Sequence, residues 1–250
     1  MVKRDKIVDY LNNLLSSTIE DSSSNELQVQ GKERISRIGL AVDASLEAYK
    51  KAVALGCDML LVHHGLIWNG IKYVTGPKYA HLKYLFDHDL NLYASHLPLD
   101  MHPKFGNNIQ LAYLLRLQNL APFGVYNQQK IGYKGVLLKP MRLDEISQFY
   151  KQALGGKHLL LPFGKKLIAS VGIISGDAAE DLAQAIEEKL DLYITGEPAH
   201  YNHHQAKEAD TNVLYLGHYA SEQLGVKSVG KLLEKRFKVP CVFLDIPTIV

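Results

Sequence analysis

The stretch Leu60-Leu61-Val62-His63-His64-Gly65 decides how the rest of the chain is read. An apolar run too short for an ordinary helix ends on two adjacent histidines and a glycine. That is the pattern of a buried β-strand delivering two imidazoles to its carboxyl end, with Gly65 letting the chain turn away sharply. In open α/β sheets, ligands bind outside the carboxyl ends of the strands. His63 and His64 are therefore the first candidate binding residues.

Working outward, Ile38-Gly39-Leu40-Ala41-Val42-Asp43 reads as a second buried strand, followed by a helix through Leu46, Tyr49 and Val53 that Gly56 ends. Upstream, Ile7, Leu11 and Leu14 have helical spacing. The polar run Glu20-Asp21-Ser22-Ser23-Ser24-Asn25 reads as a surface loop, and Leu27-Gln28-Val29 as a short strand. Downstream, residues 68–78 lack a period and are expected as a loop; Trp68 within it is expected to pack, with covering the crevice or stacking on a planar substrate as the alternatives. A helix over 79–88 leads into the strand Leu92-Tyr93-Ala94-Ser95-His96, and Asp100 lies four residues beyond. Residues 107–117 have amphipathic spacing, and Pro122-Phe123-Gly124 marks a boundary. Next come a strand at Gly135-Val136-Leu137-Leu138, a helix over 143–154 and a glycine turn at Gly155-Gly156.

The pattern then repeats. Val171-Gly172-Ile173-Ile174-Ser175-Gly176-Asp177 matches the strand ending in Asp43, and a helix follows over 178–190. Asp191-Leu192-Tyr193-Ile194-Thr195-Gly196-Glu197 matches the run from Asp58, placing Glu197 opposite His64. Leu214-Tyr215-Leu216-Gly217-His218 matches the strand ending in His96, with Asp100 and Glu222 each four residues past a histidine. Three blocks in the same order predict an α/β protein of two related, linked halves, 1–124 and 125–250. Each has a mostly parallel sheet, and the two face a shared metal-binding crevice. The last apolar run, 241–246, fits either half.

Composition agrees with a globular chain: 250 residues, 47% hydrophobic and 22% charged. A formal charge of +2 gives no support to nucleic-acid binding. Cys57 and Cys241 make no CxxC pair, so a reducing cytoplasm is expected. No apolar run is long enough to cross a bilayer, and no membrane association is expected.

Imidazole and carboxylate side chains suit divalent transition metals such as zinc, iron, manganese, cobalt and nickel. The candidate ligands are His63, His64, His96, Asp100, His218 and Glu222. Six groups exceed the three protein ligands of one catalytic zinc and suit a pair of ions, which together clamp a reacting oxygen. A histidine pair at a strand end is also a common turn feature, and His-x3-Asp on a helix an ordinary surface pair. Their joint occurrence after apolar strands points to metal. A second cluster comprises Glu197, His200, His203, His204 and Glu208. If Pro198 starts a helix, His200, His204 and Glu208 share a face, either a separate metal site or simply a polar helix face beside the crevice. Glu197 and His200 are expected beside the metals or the substrate, as candidates for proton transfer, and the others in solvent. Lys227, Lys231 and Lys235 form an i, i+4 ladder expected to be solvated.

These residues together resemble the Nif-three-like family, proteins named GTP cyclohydrolase I type 2 homologues. The likeness runs over nearly the whole chain. It is carried by Asn25-Glu26-Leu27-Gln28-Val29, Val62-His63-His64-Gly65, His96-x3-Asp100, Ile194-Thr195-Gly196-Glu197 and Gly217-His218-x3-Glu222. The resemblance implies a dinuclear site on His63, His64, Asp100, His218 and Glu222 with His96 adjoining, and a toroidal homohexamer. One departure is Glu26, where the family usually has glycine or a small residue. A metal-dependent hydrolase of a nucleotide or small phosphorylated molecule is the first expectation. A non-catalytic metal-binding protein that acts through protein partners is the alternative.

Overall fold

The computed structural model describes residues 1–249. The chain forms two compact units. One is Met1–Leu99 with Gly225–Ile246; the other is Asp100–Leu224 with residues from Pro247.

The first unit begins with β1 (Val2–Lys3), α1 (Arg4–Leu14), β2 (Glu26–Val29) and β3 (Arg34–Ile35), with β1 and β3 paired antiparallel. Then β4 (Ile38–Asp43), α2 (Leu46–Ala54), β5 (Met59–His64), α3 (Gly76–Asp87) and β6 (Asn91–Ala94) alternate. The α2 helix starts where Ser45 accepts a hydrogen bond from the Ala48 amide. Strands β4, β5 and β6 are parallel neighbours, and β2 adds antiparallel beside β6. Leu60, Val62, Leu92 and Ala94 pack with Tyr49, Ala52, Leu82 and Leu85 as the core. Glu26 has φ 81°, the left-handed region that favours glycine.

The short helix α4 (Leu97–Asp100) leads into the second unit, with α5 (Asn107–Leu114), β7 (Gln118–Tyr126), β8 (Gln129–Arg142), α6 (Leu143–Leu154), β9 (Leu159–Pro162) and β10 (Leu167–Ile173). After them come α7 (Leu182–Glu187), β11 (Leu192–Thr195), α8 (Asn202–Glu208), β12 (Asn212–Tyr215) and α9 (His218–Ser221). Its sheet runs β7-β8-β10-β11-β12-β9. The α10 helix (Gln223–Phe237) returns the chain to the first unit, where β13 (Cys241–Phe243) joins β4 in parallel.

Several expectations need correction. The boundary lies at Leu99 rather than 124, because α5 and the hairpin β7–β8 belong to the second unit, while α10 and β13 complete the first. Pro122-Phe123-Gly124 lies inside β7, an edge strand with one ladder only, where a proline is tolerated more readily than in a central strand. Asn127 and Gln128, at φ 45° and 63°, form the two-residue turn that closes the hairpin. The first sheet is mostly parallel, but the second is mixed. Only β10-β11-β12 are parallel, and the β7–β8, β8–β10 and β12–β9 pairings are antiparallel. Lys227 is half-buried with its ammonium 4.0 Å from the centre of the Phe243 ring, a cation–π contact rather than a solvated end.

The repeat extends to the hydrogen bonds. Asp58, buried before β5, accepts from Lys32 Nζ at 2.7 Å and from the Ser36 amide at 2.8 Å. Asp191, buried before β11, accepts from Lys165 Nζ at 2.6 Å and from the Ala169 and Ser170 amides at 3.0 Å. Burial would raise both carboxyl pKa values, but these donors hold them below the usual range. Asn91 donates to the Lys32 and Asp58 carbonyls and accepts from the Gly31 amide. Asn212 donates to the Lys165 and Asp191 carbonyls and accepts from the Gly164 amide. Strands β2 and β9 are equivalent as well, each antiparallel to the strand that begins with the asparagine.

This equivalence corrects the alignment of the last block. Six residues after Asn91 stands Leu97, the first residue of α4; six after Asn212 stands His218, the first of α9. His218 therefore occupies the place of Leu97, not of His96, and Asp100 the place of Ser221, not of Glu222. The two histidines belong to different positions of one fold.

Candidate metal centre

In the first unit, β5 delivers His63 and His64 and the turn after β6 delivers His96. Their ring centroids lie 4.6 Å (His63–His64), 5.2 Å (His63–His96) and 5.5 Å (His64–His96) apart. One nitrogen from each ring falls within 4.8 Å of the others, close enough to hold a metal ion. Each ring is oriented by its Nδ1. That of His63 bonds the Ser95 carbonyl at 2.9 Å, that of His64 bonds Asp43 at 2.8 Å, and that of His96 bonds Asp21 at 2.9 Å. An acceptor at Nδ1 fixes the proton there in the neutral ring and leaves Nε2 as the lone-pair nitrogen. This is how metal-ligating histidines are normally held.

Asp21 corrects the reading of its loop as mere surface. Its side chain is 3% exposed and also accepts from the Ser23 and Leu97 amides and from Asn25. Burial raises its pKa, but the hydrogen bond and charge of His96, with Asn25 and Ser23, outweigh that and bring it down to about 2. Asn25 in turn accepts from the His96 amide at 2.8 Å. Gly65 is also required by packing: a Cβ there would sit 2.3 Å from the Gln28 amide nitrogen. The Gln28 amide oxygen accepts from the Leu66 and Ile67 amides at 2.7 and 3.0 Å, so the strand exit is tied to β2.

In the second unit, Asp100 is buried at the end of α4. Asn107 and Ser175 both donate to its Oδ1, at 2.8 and 3.2 Å. His218 begins α9, and its Nε2 lies 3.0 Å from Glu222 Oε2, while its Nδ1 is held by Glu197. Burial lowers the His218 pKa, yet Glu222 and Glu197 together raise it to about 9. A metal that took this nitrogen would displace a proton. Gly176, at φ +70°, lets both side chains approach its backbone: a Cβ there would lie 2.2 Å from Glu222 Oε1 and 3.4 Å from His218 Nε2.

His200 stands in an exposed turn. The helix starts at Asn202 rather than Pro198, because Asn202 is turned inward to the Ala179 carbonyl and Tyr215 hydroxyl. His200 thus shares no helix face with His204 and Glu208. His203 packs against Phe163, with ring centroids 5.0 Å apart, and both His203 and His204 are exposed. Sequence reading missed Asp21, Asn107 and Ser175, since nothing in their spacing ties them to their partners. Asp43 had a signal: it ends the strand beside β5, directly opposite His64.

A family model described as Duf34/NIF3 (NGG1p interacting factor 3) matches residues 2–248. The chain belongs to the Duf34/NIF3 family. Among its relatives, a GTP cyclohydrolase 1 type 2 homolog of Pyrococcus abyssi is 44% identical, covering 99% of both chains. Another of that name, from Archaeoglobus fulgidus, is 40% identical over 97% of this chain and 98% of its own. The solved structure of TTHA1606 from Thermus thermophilus is similar over 100% of both chains, with a TM-score of 0.87 and 36% identity. A second solved structure, protein ybgI of unknown function, gives 0.92 and 32% over 100% of both chains. The Duf34/NIF3 fold is therefore shared throughout. Among the described residues, no helix is long and apolar enough to cross a membrane.

Proposed function

We propose that this Duf34/NIF3 protein binds two divalent transition-metal ions and hydrolyses a nucleotide or another small phosphorylated molecule. The ligands assigned are His63, His64 and His96 of the first unit and Asp100, His218 and Glu222 of the second. The observation that carries the reading is the shared orientation of the three first-unit histidines, each with Nδ1 on an acceptor and Nε2 offered as a ligand atom. A bound ion pair would supply Lewis acidity and an activated water. The protein's own groups would set the geometry. Asp21, Asp43 and Ser95 orient the imidazoles, while Asn107 and Ser175 hold one oxygen of Asp100. Glu197 steadies His218 and is placed to move a proton at Nδ1; His200, in its exposed turn, is assigned exchange with solvent. The name shared by the relatives supports a nucleotide as the substrate class. A toroidal homohexamer in the cytoplasm completes the proposal, supported by the family resemblance and by two unpaired cysteines.

The test is metal content per chain by elemental analysis, on untagged protein never exposed to chelators, followed by a screen of nucleotide hydrolysis with the metal found. Two equivalents are expected, falling in His64→Ala and Asp100→Asn while circular dichroism stays native. A full complement in both variants, or none in the parent after reconstitution, overturns the site. Light scattering checks the hexamer.

A further inference from the structure

Trp68 was expected to pack, yet it is 36% exposed beside the histidines. Its ring centroid lies 5.0 Å from that of His96 and 6.2 Å from that of His64. The indole is also immobilised. Nε1–H donates to the Gly65 carbonyl at 2.8 Å. The backbone around it pairs with the loop that carries Asp21: Ser23 and Trp68 form an antiparallel bridge, Ser24 N donates to Ile67 O at 3.0 Å and Asn69 N to Ser22 O at 2.7 Å. The following residues Ile71, Tyr73 and Val74 are exposed as well.

We infer that Trp68 is a stacking platform for a planar heteroaromatic ring of the substrate, such as a nucleobase, whose polar part is handled by the histidine set. The inference rests on the hydrolase reading above and narrows its substrate class. Because the indole N–H is already used within the protein, Trp68 offers a ligand only its π-surface. Recognition there is by face, not by hydrogen bonding, and tolerates any base. Flexible aliphatic groups gain little from a rigid flat surface, whereas a planar ring meets it without further ordering. The tie to Gly65 and the bridge to Ser23 fix that surface before any ligand arrives.

Trp68 is the chain's single tryptophan, so its fluorescence reports on this surface alone. The full-length protein, with metal and after metal removal, is titrated with guanosine 5′-monophosphate, adenosine 5′-monophosphate and ribose 5-phosphate. Both nucleotides should quench Trp68 saturably, and ribose 5-phosphate should not. Calorimetry on Trp68→Leu should show nucleotide binding weakened roughly 10-fold or more, with ribose 5-phosphate unchanged. Trp68→Phe, which keeps a ring, should restore most of the affinity. Quenching no greater with nucleotides than with ribose 5-phosphate, with or without metal, overturns the platform whatever the metal content. Equal nucleotide affinity in the parent and in folded Trp68→Leu does the same. Absence of metal overturns the hydrolase reading whatever the quenching.

Discussion

Replacing Asp21 by asparagine tests the positioning of His96 with little change of shape. The carboxylate accepts from the His96 ring, from the Leu97 and Ser23 amides and from Asn25. An asparagine at this position presents an N–H₂ to at least one of these donors, so a buried N–H loses its acceptor. Two magnitudes follow. The fall of the Asp21 pKa from 3.8 to about 2 corresponds to at most about 2.5 kcal/mol of stability. Solvent screening in a loop reduces this to about 1–2 kcal/mol. A depressed carboxyl pKa stabilises above the unfolded value, near 4, and its contribution is lost as pH falls through about 2. The deficit of Asp21→Asn relative to the parent should therefore be full at pH 7 and shrink between pH 4 and 2. Loss of an orienting partner should also weaken metal binding about 10–100-fold. Urea denaturation of metal-free protein at pH 7 and pH 3, with calorimetric metal titration at pH 7, measures both. Parental metal affinity together with a deficit equal at both pH values would refute the assignment of Asp21 as the group that orients His96.

Three further outcomes are expected. Asp181 is buried without a cationic partner in contact, and burial, then the charge of Glu180, raise its pKa to about 6 against the Gln184 hydrogen bond. A raised carboxyl pKa favours the fold below the unfolded value and loses that contribution as pH rises through about 6. Asp181→Asn should thus be more stable by about 2 kcal/mol at pH 7 after screening, with the gain absent at pH 4 in urea melts. Asn91→Ala removes the acceptor of the Gly31 amide and the donor to the Lys32 and Asp58 carbonyls, of which the bond to Asp58 is buried. It should cost about 3–5 kcal/mol, and Asn212→Ala about the same by denaturant titration. Gly176→Ala places a methyl 2.2 Å from Glu222 Oε1 at a backbone φ of +70°. It should lose about 1 kcal/mol and weaken metal binding about 10-fold or more, read by differential scanning fluorimetry and calorimetry.

Much of the first unit was legible because its signals are local. The strand Met59–His64 reads as a continuous apolar run, and the candidate histidines follow apolar segments directly. The repeat was visible for the same reason, since Asp58 and Asp191 precede matching runs. The hairpin β7–β8 was not, because Asn127-Gln128 lacks the glycine that marks such turns. Asp21 was hidden because its partner lies 75 residues away, across a serine-rich run that has the composition of a loop. Its role is made by tertiary structure alone. The exit of α10 to the first unit was likewise beyond periodicity: helix spacing shows that a face is buried, not against which sheet.

The duplication also explains why the two proposed ligand sets differ in chemistry. The Asp58–Asn91 and Asp191–Asn212 clamps fix the starts of equivalent strands, so the backbone beyond them is set alike in both units. What each strand delivers is then a matter of side chain. His64 and Glu197 are equivalent, six residues past the clamp aspartates, yet one is an imidazole held by Asp43 and the other a carboxylate that holds His218. Leu97 and His218 are equivalent starts of short helices, and only the second carries a donor atom. Of the proposed ligands, the first unit accordingly carries three imidazoles, and the second a histidine with two carboxylates, Asp100 and Glu222. As proposed ligands, the two carboxylates would supply the negative charge that divalent ions need, and the imidazoles affinity for transition metals over magnesium or calcium. Glu222→Gln should then weaken every divalent ion, because it removes charge. His64→Asn should weaken zinc, cobalt and nickel far more than magnesium, because it removes nitrogen. Parallel calorimetric titrations of the two variants with zinc and magnesium separate these effects, and equal losses for both metals in both variants would refute the division of roles.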